Sequence, residues 1–141
     1  MTLTRLAFPA LVLLLASTAA ADSFRLRPSS RTPEAAGVID IKQTSNANEK
    51  LTVKVEHLPP PASLAPDLRT FVVWIDPGRG RAPMPVGQIL IDEKHRSGEV
   101  VTVTAFERFE VLITAESVAT PTRPSQHVIL QGGVDLAPAS K

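Results

Sequence analysis

Residues 69–78 read RTFVVWIDPG, and this stretch decides the fold. Phe71 to Ile75 form the longest unbroken apolar run after the N-terminal segment, and Trp74 is the single tryptophan. All five are aromatic or β-branched, the types that suit a pleated surface covered on both sides. Asp76-Pro77-Gly78 stops the run, because proline removes a ladder donor and glycine allows a turn. The pattern predicts the central strand of a β-sandwich, with the Trp74 ring filling space between two sheets.

Upstream, residues 58–66 hold four prolines, which forbid ladder pairing and favour an extended, polyproline-like crossover between sheets. Before them, Leu51, Val53 and Val55 alternate with Thr52, Lys54 and Glu56. Ile39 and Ile41 alternate with Asp40 and Lys42. The polar cluster 45–48 joins these two runs into a hairpin with one wet face. Residues 22–36 begin with the alternating Phe24-Arg25-Leu26-Arg27 and read as either an edge strand or a mobile arm.

Downstream, 77–85 (PGRGRAPMP) reads as a loop and 86–91 (VGQILI) as a strand, with Gly87 at a bulge or close approach. The charged turn 92–98 follows, then strands at 100–104 and 109–114. A proline-containing loop spans 115–125. A last strand at 128–130 is closed by Gly132-Gly133. Outside the N-terminal segment, no window of ten residues carries helical apolar spacing. The reading is all-β: a single immunoglobulin-like β-sandwich of seven to eight antiparallel strands. Its expected limits are 37–133, with a frayed, disordered tail at 134–141.

The first 21 residues form a separate unit. Arg5 supplies a positive n-region, and residues 6–16 (LAFPALVLLLA) supply an apolar core shorter than the roughly 20 residues of a membrane span. Ala19 and Ala21 place small residues at both recognition positions of a cleavage site. This pattern predicts a secretory signal peptide cut between Ala21 and Asp22, and hence a periplasmic or secreted protein without stable membrane insertion after cleavage. The absence of cysteine closes the lipoprotein route. Of the 141 residues, 120 follow that cut. They carry fourteen basic and fourteen acidic side chains, because only Arg5 is lost from the full chain's fifteen basic residues. Zero net charge without a charge run argues against nucleic acid as a partner. A domain of this size without disulfides relies on its apolar core.

An ordered set of pieces from Leu58 to Gly133 resembles the extracytoplasmic β-sandwich of K-type bacterial anti-sigma factors. The pieces are the proline-rich loop and the tryptophan strand Val73-Trp74-Ile75-Asp76, then Val86-Gly87-Gln88-Ile89 and Phe106 with Phe109. After these come the run from Val111 to Glu116, Pro121 with Pro124, and a closing Val128 to Gly132. The resemblance implies a sandwich fold. The zinc-binding segment and transmembrane helix of that family have no counterpart here, so the resemblance does not extend to holding a sigma factor.

Reactive constellations are sparse. His57, His95 and His127 show no metal-ligand spacing, and a cupredoxin site needs a thiolate. No G-x-S-x-G elbow supports serine hydrolysis. Glu110 alternates with Val111 and reads as a solvent-face residue. No catalytic, cofactor-binding or metal-ligating residue is assigned. The one candidate contact is Gly78-Arg79-Gly80-Arg81, where Arg79 and Arg81 on a glycine loop suit a carboxylate or phosphate. The expected function is a non-enzymatic binding or structural role in the bacterial envelope, through an unknown protein partner. The alternative is a stand-alone relative of the anti-sigma sensory domain in envelope signalling.

Overall fold

The computed structural model describes residues 22–136; the expected signal peptide and cut site lie outside the described residues, as do residues 137–141. Eight strands form one antiparallel ladder: β1 (Asp22–Pro28), β2 (Ala36–Gln43), β3 (Glu49–Glu56), β4 (Thr70–Asp76), β5 (Met84–Ile89), β6 (Gly98–Thr104), β7 (Arg108–Glu116) and β8 (Val128–Asp135). Their order is β5-β4-β7-β8-β1-β2-β3-β6. The fold is therefore all-β. Its two halves, β5-β4-β7-β8 and β2-β3-β6, are joined through β1 into one curled sheet. The end strands β5 and β6 approach closely: a Cβ on Gly87 would stand 2.8 Å from Val100 Cγ1. No rung joins them, so the curl is nearly closed.

Strand alternation sets the core. Leu26, Ile39, Ile41, Leu51, Val53 and Val55 from one half meet Phe71, Val73, Ile75, Val111, Ile113 and Leu130 from the other in one buried cluster. The N-terminal segment is a strand, but not at an edge. The first five residues of β1 pair with β2 from Asp22↔Ile41 to Leu26↔Gly37. Arg27 and Pro28 then pair with Gln131 and Leu130 of β8. Leu26 is buried while Arg25 and Arg27 are exposed, so alternation holds β1 in place.

Three further boundaries differ from the sequence reading. Gly132-Gly133 does not close β8, and the tail does not begin at Val134. Val134 is buried, β8 runs to Asp135, and the Leu136 amide donates to the Glu107 carbonyl at 2.8 Å. Gly132 serves a close approach instead, since a Cβ there would lie 2.9 Å from the Arg25 carbonyl oxygen. Met84 and Pro85 belong to β5 rather than to the preceding loop, and the strand ends at Ile89. Proline is tolerated there because β5 is an end strand, and the register slips at this point. The proline-rich crossover does carry the chain from β3 to β4, but it contains a 3₁₀ turn at Pro61–Ser63.

Trp74 is fully buried, but its place differs from the expected one. Phe71, Val73 and Ile75 belong to the main cluster, whereas Val72 and Trp74 are buried outside it. Alternation puts these two on the opposite face of β4. There the indole N–H donates to Thr114 Oγ1 at 2.8 Å, and the Thr114 hydroxyl donates to the Glu116 carboxylate. The same carboxylate accepts the Ser125 amide at 2.9 Å, tying the 117–127 loop back to this face.

Candidate functional site

The antiparallel order sends the loops 77–83 and 105–107 to the same end of the curl. Asp76 starts the first loop by accepting the Gly78 amide on its carboxylate at 2.9 Å. Gly78 and Gly80 have φ of 68° and 76°, and Arg79 has 56°. This left-handed path turns the chain sharply and presents both arginines at the end of the molecule.

An open cleft of about 570 Å³ lies between the loops, lined by Pro77, Gly78, Arg79, Arg81, Ala105, Phe106, Glu107 and Arg108. The Arg81 guanidinium stands 5.7 Å from the centroid of the Phe106 ring, within reach of a cation–π contact. Arg108 donates through Nε to Asp135 Oδ1 at 3.2 Å, so its charge is offset. Among the described residues, Arg79 and Arg81 make no ion pair. The cleft thus offers two guanidinium groups without an ion pair beside an aromatic face and a proline, with Glu107 as its one carboxylate. Planar guanidinium donors match the two oxygens of a carboxylate.

The two residues singled out from sequence, Arg79 and Arg81, are therefore brought together. Phe106 and Arg108 were not assigned to the site, because only the β6–β7 connection places them opposite the glycine loop. An aromatic residue followed directly by the charged pair Glu107-Arg108 in a short loop is the available signal.

The histidines divide differently. His57 and His95 line a second cleft at the other end of the molecule. His127 Nδ1 accepts a hydrogen bond from Arg31 Nη1 at 3.0 Å. His95 Nδ1 meets Asp92 Oδ2 at 2.9 Å within one exposed turn. The hydrogen bond from His95 is the main cause holding the Asp92 carboxyl below its usual value of 3.8. This is a histidine–carboxylate pair in a concave setting, but among the described residues no hydroxyl hydrogen-bonds the ring. Ser125 Oγ instead donates to the Ala115 carbonyl at 2.7 Å. Among the described residues, no three histidine, aspartate or glutamate side chains gather as a metal-ligand set.

Comparison with protein-family models, with curated proteins and with solved structures finds no match to this chain.

Proposed function

We propose that the protein is an exported, non-enzymatic β-domain of the bacterial envelope that binds an acidic segment of a partner protein in the Arg79–Arg81 cleft. The observation that carries this reading is the convergence of two unpaired guanidinium groups with the Phe106 ring in one open cleft. Phe106 and Pro77 give a peptide an apolar surface to lie on, and the arginines hold its carboxylates. Export rests on the charge, apolar core and small-residue pattern of residues 1–21.

The test is fluorescence anisotropy with a labelled glutamate-rich peptide. Binding that weakens with added salt and drops roughly tenfold or more in Arg79→Gln/Arg81→Gln supports the reading. Equal binding by the variant contradicts it.

A second reading, a stand-alone relative of the anti-sigma sensory domain, draws support from one feature. The strand pieces of the resemblance fall on β4, β5, β7 and β8, which form one contiguous half of the sheet. Purification with a membrane-bound anti-sigma factor encoded beside it would favour this reading. The lack of any sigma or anti-sigma gene nearby would remove it.

A further inference from the structure

β6 is an end strand of the sheet, paired with β3 on one side only. Its outward side chains are Glu99, Val101 and Val103, because Val100 and Thr104 are buried on the inner face. Val101 and Val103 are 51% and 55% exposed. At the outward positions beside them β3 carries Lys50 and Thr52, side chains that suit water. Two exposed valines in succession on one face of an end strand form an apolar strip that the described residues leave uncovered.

The charges around this strip are divided. The registers place Lys42 opposite Lys50, and Lys50 opposite Val103, in one row across the outer face. The next row is Asp40, Thr52 and Val101. The carboxylates of this face gather at Lys54: Asp40 pairs with it at 3.7 Å, and Glu99 lies opposite it in the ladder. Glu49 falls in the phase of Leu51 and so on the other face. Among the described residues, Lys42 and Lys50 make no ion pair. Like charges directly opposite on neighbouring strands repel, and a carboxylate laid between them removes that cost.

The row of Lys42, Lys50 and Val103 lies at the cleft end of the sheet. β6 ends at Thr104, and the chain passes directly into the 105–107 loop. The Phe106 amide donates to Thr104 Oγ1 at 3.2 Å, which ties that loop back onto the strand. Val103 lies three residues before Phe106, so their Cα atoms are no more than about 11 Å apart. The aromatic wall of the cleft and the valine strip are therefore adjacent.

We infer that the acidic partner segment runs on past Phe106 along β6, laying apolar side chains on Val103 and Val101 and a carboxylate between Lys42 and Lys50. This rests on the reading of the Arg79–Arg81 cleft and narrows the partner. The segment it fits is extended and combines carboxylates with apolar residues, rather than being acidic throughout.

The test is fluorescence anisotropy with two labelled peptides of equal length and charge. One is built of glutamate and serine, and in the other two serines are replaced by leucine. The leucine peptide is expected to bind about threefold more tightly or better. That advantage disappears in Val101→Thr/Val103→Thr, whose exposed side chains keep their β-branched shape and so leave the strand intact. Lys42→Gln/Lys50→Gln weakens the leucine peptide about threefold or more. Equal affinity for the two peptides overturns the inference. So does a leucine advantage that survives in the valine variant, or unchanged binding by the lysine variant. In each of these cases the cleft reading stands as long as binding still depends on Arg79 and Arg81. Failure of both peptides to bind removes the cleft reading and this inference together.

Discussion

At the scale of single residues, the buried polar chain beneath Trp74 fixes the outer face of β4. The indole needs an acceptor because it is fully buried, and Thr114 is that acceptor. Thr114→Val keeps the volume nearly constant but strands the indole N–H. It is expected to lower stability by about 1–3 kcal/mol. The control is Thr70→Val, which removes an exposed bond from Gln88 and should change stability by less than about 0.5 kcal/mol. Urea unfolding followed by tryptophan fluorescence measures both, and equal small effects would refute the chain's importance. A second residue-scale expectation concerns Asp92. Its carboxyl is held low by the hydrogen bond from His95, so His95→Ala moves it back up toward 3.8. The sign for stability follows from the lowered value. The pair's contribution is present above the unfolded carboxylate value and is lost as pH falls through the folded one. Proton titration of the Asp92 carboxyl by NMR reads the shift directly.

At the scale of elements, β1 is the strand on which the two halves depend. Its register changes partner between Leu26 and Arg27, and the chain can make that transfer because β8 comes in close over Gly132. The pair Gly132 and Gly133 gives an internal comparison within one strand. A Cβ at Gly132 meets the Arg25 carbonyl oxygen at 2.9 Å and Leu26 Cδ2 at 3.1 Å, whereas one at Gly133 meets nothing within 4 Å. Gly132→Ala is therefore expected to destabilise by about 1–3 kcal/mol, and Gly133→Ala to be near neutral. Thermal unfolding of the two variants checks this, and matching midpoints would show that the β1–β8 junction is looser than described. The same junction shows what was legible in the sequence. Period-two alternation identified β2 and β3 and the inward residues Ile39, Ile41, Leu51, Val53 and Val55, because each of these strands has one wet and one dry face, whereas β4 was legible as the unbroken apolar run Phe71 to Ile75. The glycine pair misled, because a glycine that ends a strand and one that admits a neighbouring backbone look alike in one dimension. Pro85 misled for a related reason: whether proline can sit in a strand depends on whether that strand is at an edge.

At the scale of the whole molecule, the antiparallel order collects the loops at the two ends of the curled sheet. Trp74 illustrates the limit of reading from the chain alone. Its burial was evident from the run 71–75, but its face was not, since a run apolar on both faces carries no phase. The candidate site was legible only in part. Arg79 and Arg81 stand out on their glycine loop, whereas Phe106 and Arg108 join them through a contact 25 or more residues away in sequence. Binding through this cleft is the claim on which the functional account rests. The most direct measurement is an NMR titration of the arginine side-chain Nε–H signals with a glutamate-rich peptide. The account predicts that Arg79 and Arg81 shift together and saturate while Arg25 and Arg27, on β1, stay in place. Shifts spread evenly over all arginines, or none at Arg79 and Arg81, would contradict it.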